Sequence, residues 1–220
     1  MHSTHECPLC GREVQSKINK SNQYQDKYLD GQHKMPFNVF MSMYHMCPRC
    51  GLVYVFYGTG TLFVSDATKN ISLSDEYQNI FRDKTLSEPL KMLKLIKELS
   101  KAHEIMGQDI NWLFLRYFEE LDDQKNIDKY LKKVIKDIEG GLFFHTNLYT
   151  GETCCNLGGK LILNPNIVFV DLYRKLGQFE KAKEYINICL QYKWAQNDTA
   201  LKQYLAIQEK LIEKQFRRHI

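Results

Sequence analysis

Cys7-Pro8-Leu9-Cys10-Gly11 and Cys47-Pro48-Arg49-Cys50-Gly51 decide how this chain is read. Each is a CPxCG knuckle whose two-residue spacer lets both sulfurs reach one metal ion. The closing glycine suits the tight turn, because without a Cβ it takes positive φ freely. Together the knuckles supply four thiolates, the number that a tetrahedral zinc ion takes in a closed structural site. The expected ligands of a structural Zn²⁺ are therefore Cys7, Cys10, Cys47 and Cys50. His5 and His45 each stand two residues before a knuckle cysteine, and read either as replacement ligands or as ordinary strand residues.

Working outward, residues 1–66 read as strands and turns. Residues 37–46 are rich in large apolar side chains and run as a strand into the second knuckle. Residues 52–57 form an apolar β-type run, residues 58–60 a turn, and residues 61–64 a second strand. Residues 12–34 are polar and take no clear assignment. A knuckle followed by a hairpin is the plan of a zinc-ribbon-like four-cysteine domain, expected over residues 1–66. So small a unit buries little, and the metal must supply much of its folding free energy.

From about residue 74 the apolar period changes from two to 3.6. Met92, Leu95, Ile96, Leu99 and Met106 make one stripe; Ile127, Tyr130, Leu131, Val134, Ile135 and Ile138 make a second. Residues 112–121 read as a dense, buried helix. Asn164-Pro165 starts another, with Asn as N-cap and Pro at the first position, and the last begins near Thr199. The expected fold is α+β: a small β zinc ribbon, then an all-α helical-hairpin domain over residues 74–220. Around residues 165–192 the hairpin is tetratricopeptide-like. Tyr173 lies four residues before Gly177, Phe179 two after it and Ala182 five after it. Glycine ends one helix, and the small alanine lets the second approach it. Residues 112–138 read as a more degenerate copy.

Composition removes several classes. Hydrophobic residues at 44% and charged residues at 25% describe an ordinary globular chain, not a disordered one. The net charge of +4 is thinly spread, with six basic and five acidic residues in 1–66. That balance does not favour a nucleic-acid surface. No apolar stretch reaches the roughly 18 residues of a membrane span, and the first residues lack the pattern of a secretory signal. Seven cysteines with two CxxC pairs fit a reducing compartment, and a cytoplasmic location is expected.

Residues 140–163 are long for a join between helices, and loops of that length are often functional. They hold His145, Glu152 and the vicinal pair Cys154-Cys155. One reading makes Cys154 or Cys155 a nucleophile; the other makes them buried small residues at the start of a helix. Gly158-Gly159-Lys160 is no phosphate loop, since Cys154 stands where the first glycine is required and Leu161 replaces Ser or Thr. Lys129, Lys132, Lys133 and Lys136 read as a solvated helix face diluted by Asp128, Asp137 and Glu139. Cys189 reads as packing.

With these features placed, the chain resembles a bacterial family of unknown function that joins an N-terminal CPxCG…CPxCG module to tetratricopeptide-like helices. Both knuckles, Leu113-Phe114-Leu115-Arg116 and the run from Leu172 to Ala182 carry the resemblance, as do Pro36 and Tyr44 before the second knuckle. It implies a zinc-binding cytosolic protein without an established activity. Three functions stand at this point. The first is a non-enzymatic module that binds a protein or peptide. The second is a nucleic-acid-associated zinc ribbon, with Tyr54, Phe56 and Tyr57 available to stack on bases. The third is a thiol-dependent enzyme using Cys154 or Cys155.

Overall fold

The computed structural model describes residues 2–17, 44–55, 64–102, 110–140, 144–146, 153–157, 160–162, 165–192 and 199–218. The fold is α+β, with small antiparallel strand pairs at the N-terminus followed by a mostly helical region. The described residues fall into two compact units, one ending at Tyr117 and the other beginning at Phe118.

In the first unit each knuckle is the turn of its own hairpin. Strand β1 (His2–Glu6) pairs antiparallel with β2 (Glu13–Lys17), with Glu6 opposite Glu13. Strand β3 (Tyr44–Met46) pairs antiparallel with β4 (Val53–Val55), with Met46 opposite Val53. The partner of β4 is thus the strand before the knuckle, and the expected strand at 61–64 lies largely outside the described residues.

Helix begins earlier than the sequence suggests. Helix α1 (Asp66–Leu73) is capped by Ser65, whose hydroxyl accepts from the Thr68 N–H at 3.2 Å. Ser74 caps α2 (Asp75–Arg82) in the same way, accepting from the Tyr77 N–H at 3.3 Å. Asp75 and Glu76 in its first turn and Arg82 in its last complement the helix dipole. Helix α3 (Glu88–Leu99) buries Met92, Leu93, Leu95, Ile96 and Leu99, and it packs against β4. Each such side chain contributes about 1.5–3 kcal/mol on burial. Met106, the last member of the expected stripe, lies outside the described residues. Helix α4 (Ile110–Glu120) is buried along most of its length, and the division between the two units falls within it.

The second unit holds α5 (Gln124–Glu139), α6 (Pro165–Lys175), α7 (Phe179–Gln191) and α8 (Thr199–Glu213). Asp123 caps α5, and the stripe from Ile127 to Ile138 is buried as its period requires. Helices α6 and α7 pack together as the helix pair expected around residues 165–192. Gly177 sits at φ +77°, Ala182 is fully buried, and the Tyr173 ring stacks on Tyr185 with centroids 5.4 Å apart. The ends of α4, α6 and α8 close alike, each with a left-handed residue: Asp122 (φ 51°), Gly177 and Gln215 (φ 52°). In each the next N–H reaches back across the last turn, as from Gln178 to the Tyr173 carbonyl at 2.9 Å.

Between α5 and α6 the chain forms strands where the sequence reads as a loop or a helix start. Strands β5 (Phe144–Thr146), β6 (Thr153–Leu157) and β7 (Lys160–Ile162) make an antiparallel meander. Cys154 pairs with His145 and Cys155 with Phe144 along its ladder. The helical region therefore carries a small sheet that its apolar period does not announce.

The second unit also buries charge. Arg174, Lys175, Asp171 and Gln208 are each at most 3% exposed. The Arg174 guanidinium donates to Asp171 Oδ1 (2.6 Å), Gln208 Oε1 (2.7 Å) and the carbonyls of Phe216 (2.6 Å) and Arg218 (3.1 Å). Lys175 pairs with Glu119 at 3.1 Å and Asp171 at 2.8 Å. Opposite charges at this depth offset each other's desolvation, and the carbonyls of the segment after α8 complete the set.

Candidate metal centre

The two knuckles fold by the same local rules. The Cys7 N–H donates to the Arg12 carbonyl at 2.7 Å and the Gly11 N–H to the Cys7 carbonyl at 2.9 Å. The Cys47 N–H donates to Leu52 and the Gly51 N–H to Cys47, both at 2.9 Å. Gly11 (φ +68°) and Gly51 (φ +77°) take the left-handed conformation that the sequence pattern calls for. Each turn aims backbone N–H groups at sulfur: those of Leu9 and Cys10 at Cys7, of Arg49 and Cys50 at Cys47, and of Leu52 at Cys50.

The four expected sulfurs come together. Cys7, Cys10, Cys47 and Cys50 have all their Sγ atoms within 4.8 Å of one another. Two contacts cross between the knuckles, Cys7 to Cys50 and Cys10 to Cys47, each at 3.6 Å. A tetrahedral ion with metal–sulfur bonds of about 2.3 Å has sulfur–sulfur edges of about 3.8 Å. The cluster has the size of such a shell, and it is too open for S–S bonds of about 2.05 Å. Cys7 and Cys47 are buried, while Cys10 and Cys50 are partly exposed. The donor set fits a metal ion that favours soft thiolate ligands.

Its electrostatics fit as well. Burial pushes the Cys7 and Cys50 thiols above their ordinary range, against the pull of the backbone N–H groups. At Cys47 burial also acts upward, but hydrogen bonds from the Cys50 and Arg49 N–H groups and from neighbouring thiols bring it below that range. Four crowded thiols resist ionising together in the absence of a cation, and a bound divalent ion reverses that cost.

The histidines stand beside the sulfurs and outside their group. His5 Nε2 and the Tyr54 hydroxyl are hydrogen-bonded at 2.8 Å, and the His5 ring meets His45 edge-on at 5.6 Å. Burial lowers the pKa of both, with His5 adding to the effect at His45. Burial, then the nearby thiols, raises that of Tyr54.

Sequence reasoning missed what braces the second knuckle. Tyr77, fully buried on α2, donates its hydroxyl to the Gly51 carbonyl at 2.9 Å and accepts from the Val53 N–H at 3.3 Å. Gln78 donates to the Cys50 carbonyl at 3.0 Å. A Cβ on Gly51 would lie 2.6 Å from Cγ of Phe81, so that ring rests on the glycine itself. The amphipathic period of α2 shows that one face is buried, and nothing in it names the knuckle as the surface beneath.

Elsewhere, Cys189 is fully buried, and burial pushes its thiol up to about 11, which fits packing. Lys129 and Lys133 lie over the Tyr130 ring at 5.4 and 4.8 Å from its centroid. A cavity of about 160 Å³ is lined by Glu119, Asp122, Gln124, Ile127, Lys175, Arg217 and Arg218. Its three cations are each paired, Lys175 with Glu119 and Arg218 with Asp122 of the lining and Arg217 with Asp128 outside it. Among the described residues no helix is long and apolar enough to cross a membrane. No protein-family model, curated protein or solved structure matches this chain.

Proposed function

We propose that this chain is a zinc-binding protein-interaction module of the cytoplasm. Zinc closes the cysteine lobe as a structural ion, and the helical hairpins offer a surface to a protein or peptide partner. The observation that carries the reading is the four-sulfur cluster, with two cross-knuckle contacts of 3.6 Å and only thiol donors. A closed shell of four cysteines leaves no position for water or substrate, which favours a structural ion over a catalytic one. Stacked helical hairpins commonly serve as binding surfaces. Ile188 on α7 and Tyr192 at its C-cap are both 36% exposed.

Two measurements test it. Elemental analysis of freshly purified, reduced protein is expected to give one zinc per chain, and C47S is expected to abolish it. Stoichiometric zinc in the C47S protein, or none in the wild type, refutes the metal reading. Affinity capture with the full chain is expected to recover a stoichiometric partner that is lost from I188E with its circular dichroism unchanged. Failure to recover one, or capture indifferent to that substitution, refutes the interaction reading.

A further inference from the structure

We infer that the metal is a clasp that docks a separable hairpin, residues 2–17, onto a second knuckle that stays folded without it. The inference rests on the metal reading above and concerns what the ion does to the chain.

The two knuckles are alike in sequence and turn geometry but opposite in support. Gly51 is buried beneath the Phe81 ring, and the carbonyls of Cys50 and Gly51 are held by Gln78 and Tyr77 of α2. Leu52 and Val53, just beyond, are 1% exposed, and β4 packs against α3. The second knuckle is thus built into the helical part of its unit by contacts that involve no sulfur.

The first knuckle buries Cys7, and Val14 beyond it, but its turn ends on the surface. Gly11, Arg12 and Glu13 are exposed, and a Cβ on Gly11 would meet nothing within 4 Å. Among the described residues, every helix-to-knuckle hydrogen bond goes to the second knuckle. The bonds within 7–12 are the turn's own, and what they make beyond it runs through sulfur, Cys7 to Cys50 and Cys10 to Cys47. Among the described residues this hairpin also meets the second at His5, through the Tyr54 hydroxyl and the ring contact with His45. Strands β1 and β2 pair with each other and, among the described residues, with no third strand, and an isolated two-stranded hairpin is marginal in water.

Removing the ion takes away the main link between the two hairpins. Residues 2–17 then detach and fray, while β3, β4 and α1 to α3 remain. Metal occupancy is in this way converted into exposure of one specific segment.

Hydrogen exchange read by mass spectrometry on the full chain tests this, comparing zinc-loaded protein with protein stripped by a chelator, with metal content measured in the same samples. The expected result is at least a 100-fold loss of protection in residues 2–17, with residues 44–55 and 75–99 changed less than threefold. Loss of protection in all of these segments together, or in none of them once the metal has left, overturns the inference. Absence of metal from the starting protein fails the zinc reading instead and removes this inference with it. The variant F81A adds an independent check. In it, protection of residues 44–55 becomes metal-dependent; persistence of that protection in stripped F81A overturns the assignment of the brace to α2.

Discussion

Alanine placed at each of the two knuckle glycines separates the brace from the turn. Both residues are left-handed, so each substitution costs about 1–2 kcal/mol for a Cβ in that region. Both also gain the same few tenths from a stiffer unfolded chain. At Gly11 the account ends there, since its new Cβ projects into open space. At Gly51 the Cβ lies 2.6 Å from Cγ and 2.8 Å from Cδ2 of Phe81, well inside contact distance. Relieving that overlap moves the ring or the knuckle, and overpacking of this kind costs about 1–3 kcal/mol. G51A is therefore expected to destabilise by about 2–5 kcal/mol and G11A by about 1–2, a difference of about 1–3. The assay is urea unfolding at fixed free zinc, because metal binding shifts apparent stability by mass action. Fluorescence of Trp112, which is 4% exposed, reports on the unit in a W194F background. The double variant G51A/F81A completes the cycle: with the ring gone, alanine at Gly51 costs no more than alanine at Gly11. Equal effects at the two glycines, or no coupling to Phe81, would refute the argument that α2 holds the second knuckle by packing.

Four further outcomes follow from features away from that contact. Because each ligand must be a thiolate, zinc affinity measured against a colorimetric chelator is expected to fall as pH falls, the protons displacing the ion; affinity flat between about pH 8 and 5 contradicts four-thiolate ligation. Cys189, with its thiol pushed up to about 11 from an ordinary 9.0, holds about 100-fold less thiolate at pH 8 than a free cysteine. It is expected to react with iodoacetamide at least that much more slowly, and reaction at the free-cysteine rate overturns its burial. R174A leaves Asp171 with one cation and two carbonyls without a donor, so urea unfolding is expected to show a loss of about 3–5 kcal/mol. K69A, at a pair whose side chains are 45% and 91% exposed, shifts stability by less than about 1 kcal/mol.

Much of this architecture is legible in the residues. The knuckles announce themselves because a metal shell dictates ligand type and spacing, and the stripe from Ile127 to Ile138 because a helix half in water must repeat about every 3.6 residues. What escaped reading has a common physical cause. Asp171, Arg174 and Lys175 look like a solvated helix face, since periodicity treats every charge as exposed; only the partners, from Glu119 to the Arg218 carbonyl, make their burial tolerable. Strands β5 to β7 are three to five residues each, too short to establish an alternation. Tyr77 and Phe81 lie one turn apart on α2, but a pattern along one helix carries no address for what lies opposite.

The brace beneath Gly51 has a practical corollary for anyone wishing to work with the cysteine lobe alone. An excised peptide stopping at residue 66 would keep all four sulfurs and both turns and still lack Tyr77, Gln78 and Phe81. It would present Leu52 and Val53 bare to water and leave the Gly51 carbonyl without its phenol. Such a fragment would chelate, but as a looser, stickier species than its parent. The lobe is not portable; its smallest faithful excerpt extends at least through Arg82.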